Sequence, residues 1–251
     1  MALGKDYTSL SSACYVAIPG EALVTIPYLN CTFQRPMRQN LPIDIHTHKL
    51  PTVAGTAIVS VSPQAFHPMP SQWYAVGIHP WDTDKITDLT TEMAQLEQLA
   101  NHPQVVAIGE VGLDPLHGAS IQEQIKVFES QALLAEAIHK PVIIHLVKSV
   151  DNLLLSYQHL RPTMPWIIHG FRGKPQLARQ LLNKGFYLSF GTHFNLEALC
   201  TTPNNRLLIE TDEHEADIDQ LCQTLALARC QTNEELRQTL DENVKRLFFK
   251  P

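Results

Sequence analysis

A chain of 251 residues that is 44% hydrophobic can bury one large core, and with 19 Lys and Arg against 25 Asp and Glu it does not attract nucleic acid by net charge. A local basic groove remains compatible with that balance, and some of the acidic side chains suit cation binding. The five cysteines form no CxxC pair, and no apolar run reaches the length of a membrane span, which predicts a reduced, cytoplasmic protein without a disulfide framework.

Residues 1–41 read as an N-terminal extension, distinct from a domain over 42–251. Cys14-Tyr-Val-Ala-Ile-Pro and Ala22-Leu-Val-Thr-Ile-Pro either pair as a hairpin around Pro19-Gly20 or belong to a poorly ordered segment. The N-terminus lacks a basic start followed by a long apolar region, so no signal peptide is expected, and Met37 is a candidate start of the functional chain.

From residue 42 onward, short apolar runs alternate with helix-like segments. The runs are 43–46, 56–61, 73–78, 105–111, 141–146, 166–169, 186–190 and 207–210. Residues 121–139 predict the clearest helix, with Ile121, Ile125, Phe128, Ala132, Ala135 and Ile138 at three- and four-residue spacing behind a Ser120/Glu123 capping box. Pro175 and Gly185 frame another helix, and Thr232 with Glu235 cap a last one carrying Leu236, Leu240, Val244 and Leu247. This order predicts an α/β protein, a (β/α)8 TIM-type barrel. His48 to Gly55 is too short for a normal parallel crossover, and Pro63 to Pro70 is not helix-like. The first one or two helices are therefore expected to be missing or distorted.

Metal-type side chains fall at the C-terminal ends of these runs. In Ile43-Asp44-Ile45-His46-Thr47-His48, strand alternation puts Asp44, His46 and His48 on one face and sends Ile43 and Ile45 toward helices. Two imidazoles at this spacing can ligate one ion, with Asp44 orienting a ring or lying near the metal. Alternation likewise gives Glu110 the face of Ile108, aimed at the barrel mouth, where a carboxylate can bridge two cations. His145 and His169 each follow an apolar run directly. Glu210 and Asp212 share a side, with Asp212 as final ligand and water-orienting base and the deeper Glu210 behind a ligand. Taken singly, each histidine is as compatible with a hydrogen-bonded rim position as with a ligand, and the two carboxylates with a structural ion-pair network.

Together the motifs resemble the TatD-type metal-dependent deoxyribonucleases of the amidohydrolase-like barrels. The resemblance covers about residues 42–249. It rests on Asp44-Ile-His-Thr-His48, Gly77-Ile-His-Pro80, Gly109-Glu-Val-Gly-Leu-Asp114, Lys140-Pro-Val-Ile-Ile-His145, His169-Gly-Phe, Gly185-Phe-Tyr-Leu-Ser-Phe-Gly191, Glu210-Thr-Asp212 and the closing Asn243 to Phe248. It implies two divalent ions, Zn, Mn or Mg. His46, His48 and Asp212 would hold one ion and His145 and His169 the other, with Glu110 shared. Asp212 would position or deprotonate a water, and His79 would contact the scissile phosphate or assist the leaving group. The implied substrate is DNA or a small phosphodiester or ester. The chain departs from the family at His145-Leu-Val147, where His-x-Arg is usual and Lys148 offers a neighbouring cation. It also carries Trp81 for a second histidine, Gly170 for a cysteine, and Glu213-His214-Glu215 for a proline-containing segment.

Three other readings stand beside this one. They are a barrel hydrolase of small esters, amides or lactones, a PHP-type phosphoesterase ending in Asp212-Glu213-His214, and a non-catalytic, metal-stabilised binding protein.

Overall fold

The computed structural model describes residues 41–249, so the expected N-terminal hairpin lies outside the described residues. Eight parallel strands close a barrel in sequence order: β1 (Asp44–Thr47), β2 (Ala57–Val61), β3 (Trp73–Val76), β4 (Val105–Leu113), β5 (Val142–Leu146), β6 (Trp166–Ile168), β7 (Tyr187–Phe190) and β8 (Leu207–Ile209). The helices are α1 (Leu89–Ala100), α2 (Ile121–Ala137), α3 (Val150–Leu160), α4 (Pro175–Lys184), α5 (Leu196–Thr201), α6 (Ile218–Ala228) and α7 (Asn233–Phe248). No helix joins β1 to β2, and only a 3-10 turn at Pro63–Ala65 follows β2, as the short first connections predict. No helix among the described residues is long and apolar enough to cross a membrane.

Local signals act where the sequence places them. Ser120 Oγ accepts from Glu123 N at 3.4 Å to start α2, Gly185 ends α4 at φ +102°, and Thr232 and Glu235 form a reciprocal capping box on α7.

Two apolar layers hold the barrel. Ile45, Ile58, Ala75, Ala107, Ile143, Ile167 and Leu208 come from seven different strands and pack on one another inside the ring. Val244, Leu247 and Phe248 of α7 join them, with Leu41, Trp73 and Tyr187, so α7 stoppers the end at which the strands begin. A larger cluster lies between strands and helices. It includes Ile43, Val59, Ile108, Ile144, Ile168 and Ile209 against Leu96, Phe128, Leu181 and Leu225. Complete burial of one such aliphatic side chain contributes about 1.5–3 kcal/mol.

The layers correct two readings based on strict alternation. Ile45 lies inside the ring while Ile43 faces the helices. Asp44 turns outward to Thr211 and does not join His46. The β1–β2 register slips between Asp44 and Thr47, so Ile45 and His46 both serve the interior. Similarly, the β4–β5 register slips between Ile108 and Val111. Ile108 packs toward helices while Glu110 enters the barrel mouth, so the two do not share a face.

Candidate active site

Glu110 lies at the centre of the barrel mouth, 5% exposed, and its two oxygens face different imidazoles. Oε2 is 3.2 Å from His46 Nε2 and 3.1 Å from His48 Nε2. Oε1 is 2.7 Å from His169 Nε2, 2.8 Å from His145 Nδ1 and 3.2 Å from His79 Nε2. Asp212 Oδ1 closes the first side, 3.5 Å from His46 Nε2 and 3.7 Å from His48 Nε2. The fold thus brings His46, His48, Glu110, His145, His169 and Asp212 together, with His79 beside them, around a cavity of about 430 Å3.

Backbone contacts explain how β1 and β8 deliver their ends to one point. Asp212 N donates to His46 O at 2.9 Å, and the Asp212 carbonyl accepts from His48 N at 3.3 Å and from Thr47 Oγ1 at 3.0 Å. Asp212 has φ +55°, a left-handed conformation that a short polar side chain tolerates better than a bulky one. On β4, Gly112 has φ +151°, and a Cβ there would stand 2.0 Å from the His145 carbonyl oxygen. Only glycine allows β4 and β5 to run this close beside the ligand-type residues.

The electrostatics match a cation centre. Burial pushes Glu110 upward, but the His169 and His46 charges and hydrogen bonds from His145 and His169 hold it well below the usual carboxylate range. Burial and the neighbouring His169 push His46 down, yet Glu110 and Asp212 lift it to about 9. Burial likewise raises Asp212, but the adjoining His46 ring, 3.5 Å away, and the charge of His169 bring it to about 2. Both ring nitrogens of His46 and the Nε2 of His145 are buried without a hydrogen-bond partner. His46 Nε2 is close to Glu110 but lacks hydrogen-bonding geometry. His46 Nε2 among the Glu110 and Asp212 oxygens, and His145 Nε2 beside Asp114, are buried donors without hydrogen bonds, of a kind that suits divalent cations.

Surrounding polar groups fix the rings. Glu210 Oε1 lies 3.2 Å from His169 Nδ1, behind the nitrogen that faces Glu110. Trp81 N donates to His79 Nδ1 at 3.2 Å. With Nδ1 accepting, Nε2 carries the ring proton and faces Glu110 Oε1 at 3.2 Å, at the mouth of the barrel. Two buried glutamines of α2 clip the neighbouring loops. Gln131 takes the Ile78 N–H at 2.7 Å, and Gln124 takes the Asp114 N–H at 2.7 Å.

Gln124, Gln131 and Arg172 belong to none of the sequence motifs, and Asp114 enters only as the end of Gly109-Glu-Val-Gly-Leu-Asp114. The glutamines sit seven residues apart on one helix face, which is the available signal. Asp114 Oδ2 binds Trp81 Nε1 at 2.7 Å and lies 3.5 Å from His145 Nε2. Arg172 lines the cavity, whereas Lys148 does not. The turn after β6 delivers Arg172 to the cavity wall, where the expected Lys148 is not found. His214 lies against His193, ring centroids 5.2 Å apart, and joins none of the metal-type donor groups among the described residues, so the Asp-x-His ending does not assemble a site.

A parallel barrel with a mixed imidazole and carboxylate cluster at the C-terminal ends of its strands defines a metal-dependent hydrolase architecture. The sequence profile described as TatD related DNase matches residues 56–249. Among curated relatives, the metal-dependent hydrolase YabD of Bacillus subtilis is 32% identical over 196 residues, 69% of this chain and 76% of its own length. The 3'-5' ssDNA/RNA exonuclease TatD of Cronobacter turicensis is 35% identical over 150 residues, 56% of each chain. The crystal structure of the TatD homologue YjjV from Escherichia coli superposes with a TM-score of 0.72 at 21% identity, covering 85% of this chain and 99% of that one, a likeness of fold. This chain belongs to the TatD-related DNase family and is a metal-dependent hydrolase. The profile match begins after His46 and His48; their place in the site comes from the barrel geometry.

Proposed function

We propose that this chain hydrolyses phosphodiester bonds in DNA with two divalent cations, using residues 42–251 as the hydrolase domain. One observation carries the reading: Glu110 presents Oε2 to His46 and His48 and Oε1 to His145 and His169. A carboxylate divided in this way between two donor sets is a bridging ligand in form. His46, His48 and Asp212 would hold one cation, His145 and His169 the other, with Glu110 common to both. The donor set accepts Zn, Mn or Mg. When bound, such ions supply Lewis acidity toward phosphoryl oxygens and make a water nucleophilic near neutral pH.

The protein side chains supply position and proton handling. Asp212, ionised throughout the neutral range, accepts a hydrogen bond from the attacking water and sets its approach. The His79 Nε2–H, which faces Glu110 Oε1 in the metal-free chain, would turn to a phosphate oxygen or to the departing oxygen once cations engage Glu110. Arg172 adds a fixed positive charge to the cavity wall. The nuclease activity in the name of the Cronobacter relative agrees with this assignment. The test is a panel of bis(p-nitrophenyl) phosphate, single-stranded DNA and simple esters, presented to the metal-loaded chain. Chelator-sensitive cleavage of both phosphodiesters is expected. Cleavage of esters alone would overturn the proposal.

A further inference from the structure

Trp81 is 47% exposed, yet its indole is held on a built support. Its Nε1–H donates to Asp114 Oδ2 at 2.7 Å, and Asp114 is only 1% exposed. Asp114 is in turn fixed by Gln124, which accepts from its N–H and donates to its carbonyl at 2.8 Å. Thr83 Oγ1 donates to Pro80 O at 2.6 Å and accepts from Ala119 N at 3.0 Å, tying the turn that carries Trp81 to the loop after β4. The His117 ring lies beside the indole, centroids 4.7 Å apart and planes tilted by 40°.

A tryptophan that serves packing alone is normally covered, and a solvated one is normally loose. Trp81 is neither. Buried polar groups hold it, while the residue remains nearly half exposed and lines the wall of the catalytic cavity. Its centroid is 5.1 Å from the His79 ring and 6.0 Å from the His145 ring. One sugar separates a phosphate from its base by a comparable reach. A rigid aromatic surface loses little conformational entropy when a second planar ring is laid on it.

We propose that Trp81 is a stacking platform for the nucleobase next to the scissile phosphate, so that the cavity selects nucleotide phosphodiesters over base-free ones. This rests on the phosphodiesterase reading above. Stacking on an indole tolerates every base, because each has a π-face, so the platform gives preference for a base without sequence specificity.

The test compares a dinucleotide phosphodiester with its analogue lacking the base, using the metal-loaded full chain. The wild-type kcat/KM ratio should favour the base-bearing substrate by roughly ten-fold or more. The ratio should fall toward one in Trp81→Ala and be largely kept in Trp81→Phe. A purely structural role would move both substrates together and leave the ratio unchanged, overturning the platform. Thymidine monophosphate provides a readout without turnover. It should quench indole fluorescence in the wild-type chain and not in Trp81→Phe, where Trp73 and Trp166 remain. Absence of that difference overturns the platform. Quenching without cleavage of either substrate overturns the phosphodiesterase reading instead.

Discussion

Glu210 Oε1 lies 3.2 Å from His169 Nδ1, while Nε2 of the same ring lies 2.7 Å from Glu110 Oε1. The buried carboxylate therefore sets the tautomer and basicity of the ring from behind. Glu210→Gln keeps an acceptor for His169 and for the Gly170 N–H, which also reaches Oε1, but removes the negative charge. It should lower metal affinity by roughly 10–100-fold while preserving the fold. Competition with a chelator, alongside circular dichroism, measures both.

Metal uptake should release protons. In the metal-free protein His46 titrates at about 9, and His169 lies well above the usual imidazole range because its carboxylate neighbours outweigh burial. Both rings must be neutral to bind a cation, so affinity should climb from pH 6.5 to 9. At pH 7, calorimetric titration with manganese in buffers of different ionisation heats should show release of about one to two protons per chain. Heats independent of the buffer would contradict this protonation scheme.

Asp44 gives a stability effect of the opposite chemical type. Burial raises its carboxyl from 3.8 to about 7, although it accepts from Thr211 Oγ1 at 2.7 Å and Thr211 N at 3.0 Å. Between those values the folded chain carries a proton that the unfolded chain has lost. The Asp44 contribution is therefore complete below about pH 4 and disappears as pH rises through 7, by a few kcal/mol. Asp44→Asn should flatten that part of the melting-temperature profile of the metal-free protein. An unchanged profile would show that Asp44 is not the group responsible.

The sequence made the strand order and the ligand-type ends legible because each apolar run terminates in a chemically distinctive residue such as His145 or His169. The short His48 to Gly55 connection likewise disclosed the absent first helix. Two bulges defeated the alternation rule. Alternation puts Asp44 on the side of His46, and Glu110 on that of Ile108, because a period of two cannot register an extra residue in a ladder. Arg172 escaped notice for a different reason. A lone arginine in a Gly-Phe-Arg-Gly turn has no spacing pattern, and only the closure of the barrel brings it to the cavity. Gln124 and Gln131 carry no charge and sit on the helix face reserved for the core, so their loop-clipping role appears only when β4 and the turn after β3 are in place.

In the proposed mechanism everything turns on Glu110 joining two cation sites. Metal content and turnover of bis(p-nitrophenyl) phosphate, measured side by side for the wild-type chain and Glu110→Gln, test it most directly. The wild-type chain should hold about two equivalents of metal, and the variant should show clear loss of metal and a fall in turnover of roughly 100-fold or more. Full metal occupancy with undiminished turnover in Glu110→Gln would contradict it.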